Sequence, residues 1–157
     1  MQRLRAGQER SEREHGEITV AASLEAGTEW LVDAAGCDPR RLCDLRHLQR
    51  VCRELIDGLR LRVIGQPHWH QFPPIADSSQ DESGGVTGLY LLAESHLACH
   101  TFPEHRRASF NLYCCRTRPA WNWKEFLEQR LGASDVVALA VPRGSLAANS
   151  VPREERP

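Results

Sequence analysis

The chain has 157 residues, 41% of them hydrophobic and 26% charged, which suits one domain with its own core and excludes a wholly disordered protein. Twenty basic residues against 21 acidic ones leave a formal net charge of -1, which argues against nucleic-acid binding through bulk charge. No apolar run reaches the ~18 residues of a membrane span, and residues 1–27 lack the apolar centre of a secretory signal, so a cytoplasmic protein is expected.

Residues 1–27 are dense in charge and read as a flexible N-terminal arm. Trp30 to Ala34, ending at Gly36, reads as a strand. After the connector Cys37-Asp38-Pro39, a helix is predicted from Asp44 to Leu59. Asp44 would be its N-cap, and Leu45, Leu48, Val51, Cys52, Leu55, Ile56 and Leu59 recur at helical spacing. Leu61 to Ile64 begins a second strand that is expected to run on to about Phe72. Pro73 to Gly85 is polar and rich in breakers, hence a loop. Val86 to Ala93 is apolar at nearly every position, which fits a strand buried on both faces and points to a dimer.

Ser95 to Thr101 and Ala108 to Cys115 read as two further strands joined by the turn Phe102 to Arg107. A helix is predicted from Trp121 to Leu131, with Trp123, Phe126, Leu127 and Leu131 inward and Gly132 just past its end. Asp135 to Val141 closes the fold as a strand, and residues 142–157 form a flexible tail. The folded part is thus 28–141, with about three strands and one helix in each half. The expected class is α+β: a two-layer α/β sandwich of pseudo-repeated halves, its antiparallel sheet covered on one face by two helices.

The six cysteines, Cys37, Cys43, Cys52, Cys99, Cys114 and Cys115, contain no CxxC pair and read as reduced thiols, most of them buried. Chemistry concentrates between Gly84 and Cys115. That stretch holds Glu94, Ser95, His96, Cys99, His100, Glu104, His105, Asn111, Cys114 and Cys115. On a regular strand Ser95, Leu97 and Cys99 share one face, and His96, Ala98 and His100 share the other. Ser95 and His100 therefore cannot meet along one straight strand. From the residues alone, three readings stay open. One is a strand of satisfied core polar groups. Another is a zinc site, although the usual ligand spacings are absent. The third is a serine hydrolase, although the sequence around Ser95 lacks the glycines of the GxSxG elbow.

The same stretch resembles the prokaryotic S-adenosylmethionine decarboxylase proenzymes, a pyruvoyl-dependent family. The matching pieces are Gly85-Val86-Thr87-Gly88, Leu92-Ala93-Glu94-Ser95-His96, His100-Thr101-Phe102-Pro103-Glu104 and Cys115. Leu31-Val32-Asp33, Gly36-Cys37-Asp38 and His70-Gln71-Phe72 add to them. The resemblance covers about Thr28 to Val141. It implies self-cleavage between Glu94 and Ser95, giving a β chain 1–94 and an α chain 95–157. Ser95 would become the pyruvoyl cofactor, which forms a Schiff base with the substrate amine. Thr87 would support the processing oxyanion and His100 would move the processing proton. Cys115, twenty residues after Ser95, would be the proton donor in decarboxylation. Phe72, Phe102 and Glu104 would contact S-adenosylmethionine, whose decarboxylated form donates aminopropyl groups for spermidine synthesis. A homodimer of cleaved protomers, with sites built from both, is also implied, with no metal, nucleic acid or membrane. The chain departs from the family in its longer 73–84 loop, in Phe102 where many members have Trp, and in Asn111 where an acidic residue is expected. Relatives acting on arginine or ornithine, or a processing-dead regulatory paralogue, are the alternatives.

Overall fold

A computed structural model describes residues 27–73 and 84–143. Of the stretches expected to be irregular, residues 1–26 of the arm, 74–83 of the loop and 144–157 of the tail lie outside the described residues. Six antiparallel strands form one sheet in the order β2-β3-β4-β5-β1-β6. They are β1 (Gly27–Ala35), β2 (His68–Gln71), β3 (Val86–Leu92), β4 (Ser95–Phe102), β5 (Arg107–Cys114) and β6 (Asp135–Arg143). The expected α+β class, with the helices on one face, is what the chain adopts.

Two longer helices lie where the apolar spacing puts them. The first, α2 (Leu45–Gly58), starts at Asp44, whose carboxylate accepts the His47 N–H at 2.9 Å. It buries Leu48, Val51, Cys52, Leu55 and Ile56. The second, α3 (Trp123–Leu131), is capped by Asn122 and ends at Gly132, whose φ of 69° is the left-handed conformation glycine tolerates. It starts two residues later than expected because the Asn122 side chain takes the Glu125 N–H. A third, short helix, α1 (Pro39–Cys43), not anticipated from the sequence, runs from the end of the predicted connector to α2. Pro39 suits a first helical turn, and Asp38 accepts the Arg40 N–H at 3.0 Å.

The helices share one sheet face. Cys52 of α2 meets Cys99 of β4 at 3.8 Å between sulfurs, and Trp123 of α3 packs on Phe110 of β5. Cys99 and Phe110 are direct partners across the β4–β5 pair, so both helices cover the same layer. One core follows, from Val32 and Ala34 of β1 through Leu97 and Leu112 to Leu55, Leu127 and Leu131. Thr101 ties α1 to it. Its buried hydroxyl accepts the Val86 N–H at 2.8 Å and donates to the Leu42 carbonyl at 2.8 Å.

Three expectations are corrected. The strand predicted from Leu61 to Phe72 is broken. Val63 makes only an isolated bridge to Leu92, and regular pairing resumes at His68 after Gly65, in the left-handed region, and Pro67. Strand β3 is buried on one face, not two. Val86, Gly88, Tyr90 and Leu92 point to the helices, whereas Leu89 and Leu91 are exposed. The boundaries 28 and 141 each move outward, because Gly27 pairs with Arg143 and Thr28 with Pro142 at the ends of β1 and β6. Pro142 is tolerated there because β6 is an edge strand. The sheet face away from the helices carries exposed Leu31, Leu89, Leu91, Val137 and Leu139.

Candidate active site

Strands β3 and β4 form a hairpin whose two-residue turn is Ala93-Glu94, because Leu92 pairs with Ser95. Tight two-residue turns usually need positive φ. Neither turn residue has it, so contacts from elsewhere set the shape of this turn. The Ala93 N–H donates to the Arg62 carbonyl at 2.8 Å. The Glu94 carbonyl accepts the backbone N–H of Cys115 at 3.1 Å. Glu94's carboxylate pairs with Arg118 at 3.3 Å, with both side chains mostly shielded from solvent. Two separate stretches, one around Arg62 and one from Cys115 to Arg118, thus hold the turn that carries the peptide bond between Glu94 and Ser95.

The Ser95 hydroxyl points to the helix side and accepts a weak S–H bond from Cys114 at 3.7 Å. Strand parity makes Cys114 a core residue and the neighbour of Ser95. Burial raises the Cys114 thiol pKa, while the Ser95 contact and the nearby Arg118 charge pull it down. The net upward shift keeps this sulfur a protonated donor. Cys115 follows the end of β5 and is exposed.

Thr87 and His100 sit together, but away from Ser95. They are direct partners across β3–β4, and the Thr87 hydroxyl lies 3.0 Å from His100 Nδ1. Ser95 and His100 occupy opposite ends of β4, which at ~3.3 Å per residue are about 16 Å apart. They also face opposite sides of the sheet. The chain therefore places the candidate residues in two groups, or half-sites: the Glu94-Ser95-Cys115 end and the Thr87-His100 end.

Beside the second half-site is a cleft of about 520 Å³ lined by Phe72, Gly84, Gly85, Thr87, His100, Phe102 and Glu104. All three predicted substrate-contact residues border it. Phe72 is braced edge-on by His70, with ring centroids 4.6 Å apart. Glu104 lies in the 3-10 turn Pro103–His105, inside the turn expected between β4 and β5. Beyond Phe102 a second cleft, of about 440 Å³, is lined by Asp33, His105, Arg107, Ser109 and Asp135.

On the open face a polar chain crosses four strands. His96 Nε2 lies 3.0 Å from Asn111 Oδ1, and Asn111 Nδ2 donates to Glu29 at 3.0 Å. Arg143 pairs with Glu29 and lies 5.6 Å over the Tyr113 ring. The Asn111 hydrogen bond, and then Arg143, hold the Glu29 carboxyl below its ordinary range despite partial desolvation. Sequence reasoning missed this chain, the anchoring by Arg118 and the Cys114–Ser95 contact. Each joins residues from separate strands or segments that no spacing rule links. No group of three or more metal-ligating side chains occurs among the described residues. Nor does any described helix have the length and apolarity to cross a membrane.

Fold and site together define a class: a small two-layer α+β protein with a Glu–Ser junction pinned at the end of a hairpin. The model of the family "S-adenosylmethionine decarboxylase" matches residues 28–144. S-adenosylmethionine decarboxylase proenzyme of Geobacillus sp. strain WCH70 is 32% identical over 111 residues, which cover 69% of this chain and 80% of that protein. The proenzyme of Clostridium tetani is 30% identical over 122 residues, covering 75% and 86%. The crystal structure of the adenosylmethionine decarboxylase from Aquifex aeolicus shares the fold, with a TM-score of 0.61 at 23% identity, covering 80% of this chain and 97% of that one. The chain belongs to the S-adenosylmethionine decarboxylase family.

Proposed function

We propose that residues 27–143 form a self-processing decarboxylase domain that cuts itself between Glu94 and Ser95 and then decarboxylates S-adenosylmethionine. The observation that carries this reading is the Cys115 N–H on the Glu94 carbonyl at 3.1 Å. That carbonyl is the electrophile of the cleavage, and a fixed backbone donor stabilises the oxyanion that forms on it. Ser95 Oγ attacks the carbonyl carbon, the C–N bond breaks, and the hydroxyl proton ends on the freed amine. The peptide becomes an ester. A base then takes the Ser95 α-proton, the Cα=Cβ bond forms, and the Cβ–Oγ bond breaks with its electron pair leaving on the Glu94 carboxylate. Hydrolysis of the resulting enamine, through its imine tautomer, releases ammonia and leaves a pyruvoyl group. In this reading His100 moves the proton and Thr87 assists at the oxyanion. An imidazole suits that task because it titrates near neutral pH.

The group fits its place. Ser95 is paired with Cys114, so the start of β4 stays in the sheet once Glu94 is released. Its carbonyl supplies a sink for the electron pair left when carbon dioxide departs. Cys115, the exposed thiol beside the junction, holds the proton that is returned to the substrate carbon. Phe72 and Phe102 offer faces for an adenine ring and a sulfonium, and Glu104 offers an acceptor for ribose hydroxyls.

Separation of the two half-sites supports a homodimer. A second copy on the open face would bring its own Thr87–His100 pair towards the hairpin end that carries the Glu94–Ser95 junction and would bury Leu31, Leu89, Leu91, Val137 and Leu139. The product would feed aminopropyl transfer to spermidine in the cytoplasm. Carbon dioxide release from S-adenosylmethionine, arginine and ornithine, measured side by side, tests the substrate. Release from S-adenosylmethionine alone is expected. Release only from a basic amino acid overturns this part, and an uncleaved, inactive chain favours a regulatory paralogue.

A further inference from the structure

We infer that Arg118 is a positioning residue for self-cleavage. It holds Glu94 before the cut and stabilises the carboxylate that Glu94 acquires as the leaving group. This rests on the self-cleavage reading above.

Three observations point to it. First, one guanidinium Nη of Arg118 is 3.3 Å from the Glu94 carboxylate, with the Arg118 and Glu94 side chains only 16% and 22% exposed. Such shielding makes this pair stronger than an ordinary surface ion pair. Second, Arg118 Nε is buried and meets no acceptor among the described residues. A buried donor without a partner is costly and uncommon in a native protein. Third, the elimination step creates a new carboxylate on this same residue. The Cβ–Oγ bond breaks, and its electron pair comes to rest on the former Glu94 carbonyl carbon's two oxygens. Negative charge thus develops on the residue whose side chain this cation already holds, and the cation has a donor to spare. Nothing need reorganise at that moment, which is the condition under which electrostatic stabilisation is most effective.

The side chain acts through Glu94, with which it pairs directly. Its effect should fall more heavily on elimination than on the acyl shift, because the oxyanion of the acyl shift is transient and already met by the Cys115 N–H, whereas elimination leaves a lasting charge on Glu94's backbone carboxyl. Removing the guanidinium should therefore let the ester accumulate. A purely structural role would slow both steps alike and leave no ester.

The test follows processing of the full-length wild type, Arg118→Gln and Arg118→Lys on denaturing gels, with thermal melting as a check of folding. Each sample is also split with neutral hydroxylamine, which cuts the ester and frees a fragment beginning with an ordinary serine. Arg118→Gln is expected to process about tenfold more slowly, the loss typical of one charge-assisted hydrogen bond. It should also yield the hydroxylamine fragment, and Arg118→Lys should fall between it and the wild type. Should Arg118→Gln not fold, Arg118→Lys carries the same expectation at smaller size. Processing of the folded variants at the wild-type rate, or slowing with no hydroxylamine-sensitive ester, would overturn the inference while leaving self-cleavage standing. A wild-type chain that never cuts would remove both.

Discussion

Co-expression of Ser95→Ala with His100→Ala separates cleavage within a protomer from cleavage across a dimer. Within one chain the two residues lie five positions apart on β4, about 16 Å at ~3.3 Å per residue, whereas a proton moves over a hydrogen bond of about 3 Å. They also project from opposite sheet faces. No rotamer change closes that gap, so in the proposed dimer His100 would act on the partner's chain. Each variant alone should then stay intact. In a mixed dimer, one site has alanine at both positions and the other has the wild-type residue at both. The intact site cuts the His100→Ala chain, using the His100 carried by the Ser95→Ala chain. With equal expression and random pairing, about half of all dimers are mixed, so about half of the His100→Ala chains should be cleaved. A small tag on one variant identifies the cut chain on a denaturing gel. The reasoning is refuted if mixed dimers form, as shown by pull-down through the tag, and no His100→Ala chain is cut.

Other consequences follow from single contacts. Mild alkylation at neutral pH should modify exposed Cys115 before buried Cys37, Cys52, Cys99 and Cys114, and should abolish carbon dioxide release from the processed protein; peptide mapping checks the order. Thr101→Val leaves the Val86 N–H and the Leu42 carbonyl without their buried partner, which should cost about 2–4 kcal/mol in denaturant unfolding. The Glu29 carboxyl is held below its ordinary value of 4.5 in the folded chain, chiefly by Asn111. Its contribution to stability is therefore full above that value and is lost as pH falls through the depressed one. Melting temperatures of the wild type and Glu29→Gln should differ at pH 7 and converge in the acid range below 4.5. A gap that stays constant on acidification would refute the assignment.

Much of the fold is legible in local pattern. The spacing of Leu48, Val51, Cys52, Leu55 and Ile56 fixes α2, and Asp44 marks its start because an aspartate there satisfies a free N–H. Gly132 marks the end of α3 for the converse reason, a left-handed residue closing the last turn. Strand alternation places Cys114 inward and puts Ser95 and His100 on opposite faces before any coordinates are known. Where pattern fails, a tertiary choice decides. Val86 to Leu92 reads as buried on both faces, yet a protomer covers only the face bearing Val86 and Tyr90. Leu89 and Leu91 lie exposed on the face that the helices leave open. Residues 61–72 look like one strand, but Gly65 turns the chain through a positive φ and pairing restarts at His68. Helix α1 is only five residues long and too short to show a period.

For the site, the resemblance picks out residues but not their grouping. Thr87 and His100 emerge as a bonded pair, and Phe72, Phe102 and Glu104 border one cleft. Ser95 and Cys115 gather at the far end of the hairpin, joined through the Glu94 carbonyl. The Arg118–Glu94 pair is invisible in sequence because 24 positions separate its members. Charge alone does not say which of many arginines closes on which carboxylate.

The most direct trial of self-processing is intact mass measurement of the purified wild-type protein with sequencing of the downstream fragment. It should show two chains, 1–94 and 95–157, with the second lighter by one ammonia than a serine-initiated fragment and blocked to amino-terminal sequencing. A single uncut chain, or a downstream fragment that starts with an ordinary serine, would contradict it.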